Sequence, residues 1–427
     1  MSPAIITLIV LAIVVVALIT DKLPLAATAC AGAFALAILG VIDKKDVLSA
    51  ASGSTCVLLG ATMIIGGAIF HSGLADKVSQ KIVKLTGTTE TGIMIAIMIV
   101  ALFFSSVCSG TSVVAMMLPI VVAMCLKADV PLSRNLVILS FASSIGCNLT
   151  LVGAASNVST AGMIEAMGIP FLGFFDLGKV GLPLCAIFAV YFLTIGRKTM
   201  VKPHPHNQEY ADELLATNKV AQENFNLPKA ILTAVILVIT FVAMGMNNDA
   251  LPMYFVASLG CLILIVCGVM TTKQAAHSID WDTIFIVTGM SAITKAMSES
   301  GAAQLIADFV VNLLGNNPNK YVVLLVVLVT TMLLTNVMMN TSAVLVVTPI
   351  FVPIAVAFGV NPVAIGVAIC IAASAPFLTP VGSPTNTMCV NPGNLEFMDF
   401  FKPGLGLSIL TIVVGMALIP IFWPLAV

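Results

Sequence analysis

Residues 321–395 contain no Asp, Glu, Lys or Arg, a charge-free run of 75 residues, and residues 91–126 form another of 36. A helix that crosses a bilayer needs about 20 mostly apolar residues, so neither run fits a single span. Each is broken by a polar cluster: Ser105-Ser106-Val107-Cys108-Ser109-Gly110-Thr111-Ser112 in the shorter run, Thr335-Asn336-Val337-Met338-Met339-Asn340-Thr341-Ser342 in the longer. Polar, irregular backbone at membrane depth persists only where protein buries it or a wet cavity adjoins it. The clusters predict re-entrant hairpins whose tips lie inside the protein.

The remaining chain-wide features agree. Hydrophobic residues make up 59% of the 427 and charged residues 9%, against roughly 25% charged in soluble domains, which points to an all-α integral membrane protein. Further charge-free stretches fall at 3–20, 23–42, 47–70, 135–164, 180–196, 230–248, 250–272, 283–294 and 403–427. The first stretch lacks a preceding basic residue and is followed at once by another apolar run at Leu23, so it is expected to remain as a span. A net charge of −1 gives no attraction for phosphate backbones and argues against a nucleic-acid partner. The ten cysteines are scattered through apolar runs, without metal-site spacing, and are expected to be small buried hydrophobes.

The broad hydrophilic stretch 197–229 divides the chain almost evenly, and the two sides match. Ser72-Gly73 answers Ser300-Gly301 at an offset of 228; Thr111-Ser112 and Pro119 answer Thr341-Ser342 and Pro349 at 230. Thr150, Gly153 and Asn157 answer Thr379, Gly382 and Asn386 at 229; Asp176, Lys179 and Gly181 answer Asp399, Lys402 and Gly404 at 223. The reading is a duplication: a first repeat at 1–196, a cytoplasmic linker at 197–229 and a second repeat at 230–427. Each repeat is predicted to hold three helices, an amphipathic connector (74–86, 302–314), a hairpin, an interrupted helix and a last helix. If the hairpin enters and leaves on one side, each repeat has five transmembrane helices, and the odd number inverts the second repeat relative to the first. Placing the linker in the cytoplasm puts 13 of the 18 Lys and Arg on that side, as the positive-inside rule requires.

Inverted repeats with discontinuous helices are the architecture of many secondary transporters, whose sites form where the repeats meet. Broken helices offer free N–H groups to anions and free C=O groups to cations. The hairpin tips and the interruptions at Asn148–Asn157 and Phe377–Asn386 contain no charged side chain. An anion held there needs hydroxyls, amides, helix N-termini and a co-bound cation, for which sodium suits the oxygen-only surroundings. Asn340 and Asn386 are the strongest individual choices, although Asn157 and Asn386 also read as caps of the second half-helices. Asp176, Lys179, Asp399 and Lys402 read as anchors or caps, and Glu165 and Lys295 as snorkelling side chains near helix ends. Met116, Met117, Met338 and Met339 read as packing. No His, Glu or Cys constellation at catalytic spacing lies within the spans, so an enzyme is not expected.

At these residues the sequence resembles the divalent anion sodium symporters (DASS) of the ion transporter superfamily. That family's first hairpin carries Ser-Asn-Thr and then Met-Met-Leu-Pro; here Ser109-Gly110-Thr111 leads to Met116-Met117-Leu118-Pro119. The second Ser-Asn-Thr stands as Met339-Asn340-Thr341, and the interrupted helices carry Gly153-Ala154-Ala155-Ser156-Asn157 and Gly382-Ser383-Pro384-Thr385-Asn386. The resemblance implies one sodium site framed by Ser105, Ser109, Gly110 and Gly153, and another by Thr335, Met338, Asn340 and Gly382. It implies a substrate site at Ser109, Gly110, Thr111, Asn340, Thr341 and Pro384. Gly110 replaces an Asn of the family and removes an amide; Met339 replaces a Ser. The implied function is sodium-coupled uptake of small divalent anions, dicarboxylates foremost, by an elevator motion in a homodimer of the cell membrane. Sulfate or oxyanion transport and cation-independent anion exchange are the alternatives.

Overall fold

The computed structural model describes residues 2–20, 23–87, 89–196, 227–246, 248, 250–314 and 319–426. Helices α1 (Pro3–Thr20), α2 (Leu25–Ile38), the short α3 (Asp46–Ser49) and α4 (Ser54–His71) open the chain. Next comes α5 (Leu74–Thr86), whose Leu74, Val78 and Ile82, one turn apart, rest on the core. The hairpin is α6 (Glu90–Ser105) and α7 (Gly110–Ala128), joined by a four-residue tip at 106–109. The interrupted helix is α8 (Leu132–Gly146) and α9 (Ala155–Ala166), and α10 (Gly178–Tyr191) follows.

The order then recurs. It runs α11 (Leu227–Gly245), α12 (Met253–Val266), the short α13 (Thr272–His277), α14 (Trp281–Ser300) and the connector α15 (Ala302–Leu314). The second hairpin is α16 (Lys320–Thr335) and α17 (Asn340–Ala357); the second interrupted helix is α18 (Pro362–Ala373) and α19 (Pro384–Gly393), and α20 (Phe397–Phe422) ends the chain. Among the described residues, seven helical segments are long and apolar enough to cross a membrane, and five shorter apolar helices, α2, α6, α12, α16 and α18, accompany them. Both connectors match their predicted bounds.

Two boundaries differ from the sequence reading. Most of the stretch read as a linker, 197–226 with His204 and His206, lies outside the described residues. Its last three residues are helical, because Pro228 sits in the first turn of α11, where its missing N–H costs nothing. The interruptions begin one and three residues earlier than predicted, at Cys147 and Ser374. The cysteines are free and mostly buried, but Cys267 is exposed, at the C-terminal end of α12.

The interrupted helices form the centre of the core. Every residue of α8 from Asn135 to Gly146 is buried, and so is every residue of α18 from Ala364 to Ala373. α18 is apolar all round and has to be enclosed on all sides, whereas α8 is enclosed together with its Asn135, Ser140, Ser143 and Ser144. The halves lock together reciprocally: α2 packs on α14 as α12 packs on α4, and α8 packs on α19 as α18 packs on α9. Glycines permit the closest approaches. A Cβ on Gly181 would overlap the Asn148 carbonyl, and one on Gly404 would overlap that of Phe377, so α10 and α20 press on the two interruptions in matching fashion.

Candidate functional site: four helix starts around one chamber

The starts of α7, α9, α17 and α19 meet at a chamber of about 170 Å³. Ser109, Gly110, Thr111, Asn340, Thr341 and Pro384, the six substrate positions from the sequence, all line it. No side chain caps the starts of α7, α9 or α17, whereas Ser383 caps α19 by accepting from the Thr385 N–H at 3.3 Å. Uncapped N–H groups and the positive ends of helix dipoles make such a convergence an anion-binding environment. Ser156 lines the chamber too; it is 1% exposed, and its hydroxyl has no protein partner. Sequence reasoning missed Ser144, Ser156, Ser374 and Thr385, which face the chamber from the interrupted helices, and Asp280 and Thr283 from the start of α14. Ser156 and Thr385 lie in the interruption motifs without a role assigned; Ser144, Ser374 and Thr283 carry only a hydroxyl, which buried membrane helices share, and Asp280 reads as an ordinary helix cap.

Each hairpin tip is bound to its own interruption by equivalent contacts. The Thr150 hydroxyl donates to the Ser106 carbonyl at 2.5 Å, and the Thr379 hydroxyl to that of Asn336 at 2.6 Å. A Cβ on Gly153 would stand 2.8 Å from the Ser105 carbonyl; one on Gly382 would stand 2.8 Å from that of Thr335. Only glycine lets backbone approach so closely. Of the positions implied as sodium ligands, Ser105 meets Gly153 at one junction and Thr335 meets Gly382 and Asn340 at the other, while Ser109, Gly110 and Asn340 line the chamber.

The junctions differ in hydrogen bonding. In the second, the Thr335 hydroxyl donates between Asn340 Oδ1 at 2.8 Å and the Ala373 carbonyl at 2.9 Å. In the first, Gly110 has no side-chain amide, the Ser143 carbonyl accepts from the Cys147 thiol, and the fully buried Ser105 hydroxyl has no protein partner. An orphaned buried hydroxyl beside a close-packed carbonyl is the kind of oxygen pair a sodium ion takes up. The first junction therefore keeps an oxygen available to a cation, at the tip where glycine stands in place of asparagine. The second junction satisfies its own oxygens.

Asn157 and Asn386 do not cap half-helices; they bridge the interruptions. Asn157 Nδ2 donates to the Cys147 carbonyl at 3.1 Å, and Asn386 Nδ2 to the Pro376 and Thr379 carbonyls at 2.6 and 2.7 Å. Asn386 Oδ1 also accepts from Ser140 on α8. The matching oxygen of Asn157 is unpartnered; the residue equivalent to Ser140 is Cys370, a much weaker donor.

The outlying charges are anchors. Asp176 accepts from the Gly173 N–H at 2.7 Å and pairs with Lys179 at 2.8 Å, and Asp399 accepts from the Glu396 N–H at 2.7 Å. Glu165 takes a 3.4 Å bond from Thr55 on α4, and Lys295 pairs with Asp46 at 2.9 Å, so neither merely snorkels.

Bundled apolar helices, two helical hairpins and a chamber between broken helices are the make-up of a multi-pass membrane transporter. Comparison with known proteins narrows this. The sequence profile of the citrate transporter family matches residues 15–248 and 236–425, and the chain belongs to that family, within the DASS and ion transporter group. An uncharacterized transporter of Haemophilus influenzae is 25% identical over 434 residues, covering 97% of this chain and 90% of its own. The sodium-dependent dicarboxylate transporter SdcS of Staphylococcus saprophyticus is 23% identical over 425 residues, covering 93% and 82%. Among solved structures, the Alcanivorax borkumensis YdaH transporter aligns over 100% of both chains with a TM-score of 0.63 at 14% identity. MtrF of Neisseria gonorrhoeae aligns over 99% of this chain and 95% of its own, with a TM-score of 0.62 at 14% identity. These last two share the fold.

Proposed function

We propose that the protein is a sodium-coupled carrier of small dicarboxylates in the cell membrane, built from two inverted repeats and working by an elevator motion. The observation that carries the reading is the meeting of four half-helix starts, three of them uncapped, at one small chamber. The N–H groups and the hydroxyls of Thr111, Ser156, Thr341 and Thr385 would bind the carboxylates. Sodium would sit at the first junction on oxygens of Ser105, Ser109, Gly110 and Gly153, and offset the substrate's charge from behind the tip. The second junction, with Thr335, Met338, Asn340 and Gly382, would hold a further sodium only after Thr335 releases Asn340. The sodium-dependent dicarboxylate relatives support both the substrate class and the ion.

A difference between equivalent faces supports alternating exposure. On α9 and the turn before it, Val152, Ala155, Val158 and Gly162 are buried or half-buried where the helix meets α4 and α14. Their counterparts on α19, offset by 229, are Val381, Pro384, Thr387 and Asn391, and all four are exposed. Val152 is 6% exposed and Val381 72%. Two copies in one molecule thus hold opposite roles, and exchanging them would close one face and open the other. In this reading the hairpins and interrupted helices slide together against α1, α2, α4, α11, α12 and α14, which would also join two chains in a homodimer.

The test is uptake by purified protein in liposomes. Labelled succinate is expected to accumulate only under an inward sodium gradient, with labelled sulfate excluded. Gradient-independent counterflow would replace coupling by exchange, and sulfate uptake would replace the substrate class.

A further inference from the structure

The chamber is lined mostly by hydroxyl-bearing and small residues, and Met339 is the one long apolar side chain among its described lining residues. Met339 holds the N-cap position of α17, where its carbonyl accepts from the Ala343 N–H at 2.9 Å. Its neighbour Met338 is buried at 7% exposure, whereas Met339 is 40% exposed. Packing therefore accounts for Met338 but not for Met339. The position equivalent to Met339 in the first half, at the offset of 230, is Ser109, the N-cap of α7, which lines the same chamber. The duplicated architecture thus does not call for an apolar side chain at a hairpin tip, and methionine forgoes the capping oxygen that serine, threonine, aspartate or asparagine would bring to a helix start.

A long apolar group exposed in a binding chamber has a definite use. Sites for small ligands combine a few polar groups that fix orientation with apolar ones that take the ligand's carbon skeleton. Water against a thioether makes poor hydrogen bonds, and an apolar ligand group that displaces it gains affinity. Methionine also adapts its shape to its neighbour, being unbranched and freely turning. We propose that Met339 is a specificity-determining residue that contacts the hydrocarbon part of the substrate, so that the chamber favours dicarboxylates with alkyl branches over the bare chain. The carboxylates, both ionised, stay on N–H groups and hydroxyls. This rests on the dicarboxylate reading above and adds which members of the class bind best.

Succinate and geminal dimethylsuccinate separate the cases, since both are doubly ionised at pH 8 and differ only in two methyl groups. Binding is read by ligand-induced thermal stabilisation of the detergent-purified full chain in saturating sodium. The native protein is expected to bind dimethylsuccinate about tenfold tighter than succinate, the scale of two methyl groups taken out of water. Met339→Leu, which keeps the apolar bulk, should retain the preference, and Met339→Ser should cut it to about twofold. Serine is a favoured N-cap and Met339 is half-exposed, so the unliganded melting temperature should hold; a large fall would move the test to Met339→Thr. Equal or weaker binding of dimethylsuccinate by the native protein, a preference that the serine or threonine variant leaves intact, or its loss in Met339→Leu would overturn the proposal while leaving the dicarboxylate reading in place. Stabilisation by neither ligand would overturn that reading and this proposal with it.

Discussion

At the residue scale, the molecule uses near-identical positions for different ends. Ser105 and Thr335 stand at equivalent hairpin tips, yet only Thr335 has an asparagine to bond. Removing a buried hydroxyl that lacks a partner is close to neutral for folding. Ser105→Ala should therefore keep the unliganded melting temperature and lose the sodium-dependent rise in it; an unchanged sodium response would remove Ser105 from the cation site. Asn386 and Asn157 make a second pair. Asn386→Ala strands two carbonyls and Ser140, and should cost roughly 3 kcal/mol, against about 1 kcal/mol for Asn157→Ala, measured by denaturation in detergent. Equal losses would show that the extra bonds of Asn386 contribute nothing. Asn340→Ala should abolish stabilisation by succinate while leaving the fold intact, and unchanged affinity would exclude it from the chamber. The motif residues were legible in sequence because duplication marked them twice. Asp280 was not, since it has no acidic counterpart and its capping role resembles that of any helix start.

At the element scale, charge-free length and polar interruptions predicted both hairpins and both broken helices. The connectors were legible because their polar residues alternate with apolar ones at helical spacing. What sequence could not supply was how the elements press together, because approach distance depends on glycines whose neighbours are remote in the chain. Gly404 on α20 is such a case: its missing side chain admits the Phe377 carbonyl of the second interruption. Gly404→Ala should force the two apart and destabilise the protein by about 1–3 kcal/mol, as overpacking does. A melting temperature equal to that of the native protein would show that α20 yields freely and does not hold the interruption in place.

At the scale of the whole molecule, the central claim is that two inverted copies exchange roles. Asn391 on α19 is exposed, and its counterpart Gly162 on α9 lies against Thr55 of α4. The residue equivalent to Thr55, at the offset of 228 seen at Ser72 and Ser300, is Thr283 on α14. Exchange would bring Asn391 to Thr283. The most direct measurement is oxidative cross-linking of Thr283→Cys with Asn391→Cys in membranes, with the exposed or half-exposed Cys30 and Cys267 replaced by serine. The account predicts a disulfide whose yield changes with sodium and succinate, and uptake that stops on oxidation and returns on reduction. A pair that never cross-links while succinate uptake proceeds at the native rate would contradict it.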